Sequence, residues 1–283
     1  MQTSFLKHAF SMEPDVNMVS NSYKMDHERR GLAVIINNTL GGMGKDGESM
    51  VDCLTQLGFD VTMYSRQTMK QMKELMRAAA ASDHSGCDCF VCVILADGGD
   101  DNVKATDGTV KISSLVAPFK GHICKSLAGK PKLFFMQGCR GRDLDHGVTV
   151  GAALSVVGDD ADDDDYDEVD GMPMTYKIPS GADFLLAYST VAGYQASQNP
   201  MAGSYYINAL CSALKKYSTT MDLLRILILV NKMVARGFQS STGRPNNKSP
   251  VKQMPSFVSM LTKDLIFTPK EEVVWVRRKI EPS

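Results

Sequence analysis

Four near-continuous apolar runs separated by helical patterns constrain this chain more than anything else in it. They are "RGLAVIINN" (30–38), "FDVTMYS" (59–65), "CFVCVILA" (89–96) and "KLFFMQG" (132–138). Runs that stay apolar at successive positions, rather than at every second one, belong to strands buried on both faces. The spacing between them predicts helices over 47–58, 68–82 and 112–129. Strands alternating with helices imply an α/β fold: a mainly parallel central sheet flanked by helices on both faces. Ligand sites in such sheets gather beyond the carboxyl ends of the strands. Both "ADGGDD" (96–101) and "GCRGRD" (138–143) fall there.

The pattern breaks after Cys139. Nine of the twelve residues from Asp159 to Asp170 are carboxylates, a density that repels itself and cannot bury a core. Residues 159–180 therefore read as a solvated acidic linker. Order is expected to return with a strand over 182–189, helices near 203–217 and 220–236, and a final strand region over 256–267, giving about six strands. The part 181–283 has too few elements to cover its own apolar surface, so it is expected to complete the sheet begun by 29–158. Residues 1–28, polar and without a period, read as a mobile arm.

Composition excludes several classes. A net charge of −1, with no basic cluster interleaved with aromatics, gives no support to nucleic-acid binding. No run approaches the roughly 20 apolar residues of a membrane helix, and the first residues lack the apolar core of a signal peptide, so a cytoplasmic protein is expected. Seven cysteines spread through apolar segments read as reduced thiols. Cys87, Cys89 and Cys92 are close in sequence, but they run into a strand whose alternation points them apart, so neither a metal nor any other cofactor is expected.

The segments "YKMDHERRGLAVIINN", "FVCVILADGG", "LAGKPKLFFMQGCRG", "ADFLLAYST", "GSYYINALC" and "FVSMLTKDL" resemble, in order, the blocks of caspases, the cysteine proteases that cut after aspartate. The likeness runs from about Tyr23 to Phe267. It implies the caspase–hemoglobinase fold, with 29–158 as the large-subunit part and 181–283 as the small-subunit part of one domain, and the short arm resembles the executioner branch. Cys139 takes the nucleophile position. Gly138 stands for the family's usual alanine, which reads as a minor change.

The resemblance also implies a histidine after the third strand, which would hold the cysteine as thiolate and protonate the leaving amine. Asp97 stands in that place. A carboxylate is a poor general acid near neutrality, and its charge beside Cys139 opposes thiolate formation. Of the five histidines only His146 lies near enough in sequence to substitute, and it follows the cysteine in the linker region. Gly98 takes the family's oxyanion-hole position, where its N–H is expected to be available.

Caspases hold the aspartate to be cut with two arginines and a glutamine, because a buried carboxylate needs charge-assisted donors. Gln137 matches the glutamine. Leu40 stands near where one arginine belongs, Gln198 replaces the other, and Ser197 replaces the aromatic wall beside it. The resemblance thus implies a pseudoenzyme that has lost its base and both cationic anchors.

Two features point outward. Asp167-Glu168-Val169-Asp170-Gly171 is the recognition tetrapeptide preferred by executioner caspases followed by a small residue, and cutting there would divide the chain into two subunits. Asp15, ending "MEPD", is a weaker candidate because Val16 follows it. Caspases dimerise by pairing their final strand, and Phe257, Ser259, Leu261, Leu265 and Phe267 keep an apolar pattern for it. The expected partner is an active executioner caspase paralogue, with a homodimer as a competing pair. The chain reads first as a decoy that regulates apoptosis by heterodimerising, more as activator than inhibitor. The alternative is an active cysteine endopeptidase with altered, non-Asp specificity; a third reading is a competitive sink that offers its linker as bait.

Overall fold

The computed structural model describes residues 21–39, 44–145, 178–196, 198–199, 203–237, 240–241, 250–270 and 278–280. The first part of the chain contributes β1 (Leu32–Asn37), α1 (Gly44–Gln56), β2 (Asp60–Ser65), α2 (Met69–Ala81), β3 (Phe90–Leu95), β4 (Asn102–Ala105), β5 (Gly108–Lys111), α3 (Ile112–Val116), β6 (Lys132–Gln137) and β7 (Gly141–Asp143). The second part adds β8 (Phe184–Tyr188), β9 (Gly193–Tyr194), β10 (Gln198–Asn199), β11 (Gly203–Ser204), α4 (Tyr205–Tyr217), α5 (Leu223–Gly237), β12 (Ser240–Ser241), β13 (Pro250–Val251), β14 (Ser256–Ser259) and β15 (Arg278–Ile280).

One sheet carries the order β14-β8-β6-β3-β1-β2-β15. All pairs in it are parallel except β14 with β8. Six strands match the expected number, and β15 adds a short seventh beside β2. β8, from beyond the acidic segment, pairs directly with β6 in the register Leu133↔Leu185.

The strand alternation sorts the core into two layers. Ala33, Ile35, Val91, Val93, Leu133 and Phe135 face α1, α4 and α5, where Met50, Leu54, Leu210 and Ile226 meet them. Val34, Ile36, Cys92, Ile94, Phe134 and Met136 face the other side, against Met72 and Met76 of α2 and Leu115, Phe119 and Leu127. Cys89 belongs to the first layer and Cys92 to the second, so their thiols are on opposite faces. Helix starts are fixed locally. Thr68 and Gln71 form a reciprocal capping box on α2, and the Ser204 hydroxyl accepts from Ile207 N–H on α4.

Several expectations need correction. Residues 22–28, read as part of a mobile arm, are built into the fold: Tyr23 and Met25 are buried, and the Tyr23 hydroxyl donates to Asp183 Oδ1 at 2.7 Å. The buried Asp88 carboxylate holds this segment, accepting from Arg30 NH1 at 2.8 Å, Lys270 Nζ at 2.9 Å and the His27 backbone N–H at 2.9 Å. Burying a carboxylate is costly without such a set of partners. The helix expected over 112–129 is broken into α3 and two single turns at Ala117–Phe119 and Lys125–Leu127. Pro118, with no N–H to donate, and Gly121 interrupt it. The strand region expected over 256–267 stops at Ser259.

Candidate functional site

The site forms where β3 and β6 end side by side. After Leu95 the chain turns through Ala96, Asp97 and Gly98, and after Gln137 through Gly138 and Cys139. Backbone hydrogen bonds tie the two turns: Ala96 N–H donates to Gln137 O at 3.0 Å, and Gly98 N–H to Cys139 O at 3.0 Å. The expected availability of Gly98 N–H for an oxyanion is thereby corrected, because this donor already serves the carbonyl of Cys139. Gly98 also pairs with Val103 at the base of the β4–β5 hairpin, and Lys104 N–H donates to Asp97 O at 2.7 Å.

Gly138 is not the minor change it resembles. A Cβ at this position would stand 1.9 Å from Ala96 O and 3.0 Å from Asp97 Cα. The Asp97 turn therefore lies against the Cys139 turn more closely than any side chain between them permits. Ser189 Oγ reinforces the contact, accepting from Gly138 N–H at 3.2 Å and donating to Gly138 O at 3.1 Å.

Cys139 is half-buried, and its thiol donates to Ala196 O at 3.7 Å. Burial pushes the Cys139 thiol above its ordinary value, and the facing Asp97 carboxylate pushes it in the same direction by charge and by hydrogen bonding. A hydrogen bond with the Ala196 backbone, second in size only to burial, and the charge of Lys104 act in the opposite direction. Among the described residues no histidine acts on this thiol. His27 is held by Asp88 and His84 by Ala79 O; His122 lines a groove with Lys132. His146 lies outside the described residues.

Gln137 is fully buried at the end of β6, and neither Nε2 nor Oε1 of its amide has a hydrogen-bond partner among the described residues. Asp46, at the start of α1, accepts from Ser204 N–H at 2.8 Å through Oδ1. Its Oδ2 has no partner among the described residues, and burial raises its carboxyl above the usual range. Gln198 pairs its backbone with Ser204 in the β10–β11 ribbon. Leu40, Ser197, Asp15 and the expected cleavage segment Asp167-Glu168-Val169-Asp170-Gly171 lie outside the described residues.

Sequence reasoning missed Arg140. Its NH2 group donates to Asp100 O at 2.9 Å, and its guanidinium lies 4.0 Å from the centroid of the Tyr188 ring. Paired with the β7–β9 ribbon, it fixes the chain leaving Cys139. The one signal for it is that a cation directly follows the cysteine, which names no contact.

The caspase-domain family model (peptidase C14) matches residues 30–266. The chain belongs to the caspase family. It is 39% identical to Caspase-7 of Gallus gallus over 255 residues, covering 87% of this chain and 79% of that protein. It is 36% identical to Caspase-3 of Bos taurus over 277 residues, covering 94% of each. The crystal structure of Caspase-1 from Spodoptera frugiperda superposes with a TM-score of 0.79 at 32% identity, covering 92% of this chain and 98% of that one. The architecture is the caspase fold.

At the edge of the caspase sheet the expected pairing residues separate into two groups. Phe257 and Ser259 lie on β14, with Val258 between them 56% exposed, and Leu261 is partly buried just beyond. Leu265 and Phe267 are buried in the core instead. Leu265 is fixed by Asp222 and Leu223, and Phe267 packs edge-on against Phe59. Their apolar character fills their own chain, so as residues of a pairing edge they are corrected. No helix among the described residues is long and apolar enough to cross a membrane.

Proposed function

We propose that this chain is a non-catalytic caspase homologue that regulates apoptotic proteolysis by pairing with an active executioner caspase, more as activator than inhibitor. It is itself cut in its linker. The observation that carries the reading is the turn of Asp97, which stands where the family has its histidine, set directly against the turn of Cys139, where its negative charge opposes the thiolate. A neutral thiol with no adjacent base does not attack a peptide carbonyl. The Gly98 N–H bonded to Cys139 O supports the same conclusion, since stabilising a tetrahedral oxyanion needs free donors.

Pairing draws on the edge position of β14, whose exposed Val258 and neighbouring Met260 and Met254 leave apolar surface at the end of the sheet. Caspase domains usually form dimers. A partner whose own loops are ordered across that edge gains activity without any chemistry from this chain. The test is to mix the purified protein with each candidate executioner caspase and follow peptide cleavage together with complex formation. A stable complex with a changed rate is expected; unchanged rates with all of them would overturn the reading.

The second reading, an active cysteine endopeptidase with non-Asp specificity, draws on the retained, half-buried Cys139 and on Lys104, whose charge favours the thiolate. A thiol-reactive peptide probe separates the two. An activated thiolate labels well below the ordinary thiol value of about 8.5, and a protonated one does not.

A further inference from the structure

α1 and α4 pack side by side under the sheet, and each presents a cysteine to the other. Cys53 lies on α1 and Cys211 on α4, 158 positions apart in the chain and on opposite sides of the acidic linker. Cys53 Sγ is 3.9 Å from Cys211 O. Cys211 Sγ is 3.6 Å from Ser49 O, one helical turn before Cys53, and 3.4 Å from Met50 Sδ. Each thiol thus rests against the helix that carries the other. Both are reduced here, and the core around them is apolar. Nothing in the caspase site uses either one.

Thiols that each rest against the other's helix can form a disulfide once rotation and closure bring the sulfurs to about 2.05 Å. We propose that Cys53 and Cys211 are a peroxide-sensitive dithiol that closes to a disulfide joining the large-subunit part of the chain to the small-subunit part. The oxidant is a hydroperoxide, and hydrogen peroxide is small enough to enter as the helices open locally. The Cys53 thiolate attacks one peroxide oxygen, the O–O bond breaks, and the departing hydroxide takes up the thiol proton as water. The Cys211 sulfur then attacks the resulting sulfenic acid, the S–O bond breaks, and the hydroxyl leaves with the second thiol proton as another water. Two thiols and one peroxide give one disulfide and two waters.

The order of events follows from the pair itself. The Cys211 thiol stabilises a thiolate on Cys53, which holds the Cys53 thiol below its ordinary value and pushes Cys211 above it. Cys53 is thus the peroxide-reactive sulfur and Cys211 the resolving one. Cys89 and Cys92 are buried on opposite faces, and burial raises both.

The inference stands independently of whether the chain cleaves peptides, and so does its test. The full-length protein is treated with hydrogen peroxide, alkylated, digested with trypsin without reduction and mapped by mass spectrometry. A linked peptide pair containing Cys53 and Cys211 is expected, released by dithiothreitol. Thermal unfolding of the oxidised protein should shift upward by about 5 °C, since the bond closes a long loop. Cys53→Val, which keeps the packing, and Cys211→Ser should lose both signals, and Cys139→Ser should keep them. Irreversible oxidation of Cys53 with no link, a link between other cysteines, or no link at all overturns the proposal. The mapping of the unaltered protein decides the matter even where a variant fails to fold.

Discussion

Gly98 N–H donates to Cys139 O at 3.0 Å, which sets the turn carrying Asp97 against the turn carrying Cys139, and the Asp97 charge there opposes ionisation of the thiol. Asp97→Asn removes the charge and keeps the size. It should increase alkylation of Cys139 by iodoacetamide near neutral pH by about three- to tenfold, read from the pH profile of the reaction. An unchanged profile would remove the electrostatic basis of the functional proposal.

Gly138→Ala places a methyl group on Ala96 O. The turn must move or the strands must part, at a cost of about 1–3 kcal/mol in stability measured by urea unfolding. Because the displaced turn carries Gly98, the Gly98 N–H···O Cys139 bond should weaken too, seen as faster hydrogen exchange at Gly98.

Val258 is the exposed apolar residue of the edge strand β14. Val258→Lys should leave the fold intact, with circular dichroism unchanged, and abolish association in analytical ultracentrifugation, since an edge lysine opposes strand pairing.

Lys132 is buried at the start of β6, where Nζ donates to Leu127 O at 3.0 Å and lies 4.9 Å from the Phe184 ring centroid. Burial lowers its ammonium from 10.5 to about 8. Between those values the unfolded chain binds more protons at this residue than the folded one, so its contribution to stability rises with pH in that window. The stability of the wild-type protein relative to Lys132→Met should rise by about 2–3 kcal/mol from pH 8 to 10.5, measured by chemical denaturation.

An active executioner caspase should cut between Asp170 and Gly171, giving two fragments on a denaturing gel. Asp170→Ala should remain in one piece; splitting at the same bond would refute the assignment.

The inner strands β1, β3 and β6 were legible because burial on both faces leaves an unbroken apolar run, as in "CFVCVILA" for β3, whereas β2, expected to be buried on both faces, has only Met63 buried. The β4–β5 hairpin was not legible, because its short strands are half polar and carry no alternation long enough to register. Tyr23 and Met25 were missed for a related reason: two isolated anchors in a polar segment have no period, and only tertiary contacts, of Tyr23 with Asp183 and Thr262 and of Met25 with Thr268 and Lys270, reveal them. Leu265 and Phe267 gave the opposite error, since an apolar pattern does not say which surface it covers. At the site, residue types pointed to Cys139 and Asp97. The closeness of Ala96 to Gly138 and the partner of Gly98 are backbone distances, which no side-chain pattern reports.

The direct ladder between β6 and β8 has a mechanical consequence. The two halves are laced together within one sheet, with Leu133 beside Leu185. A nick in the acidic segment between them therefore changes the connectivity of the polypeptide and leaves its woven interior in place. Any signal sent by that scission travels through newly created chain ends, with the body of the molecule serving as an unmoved frame.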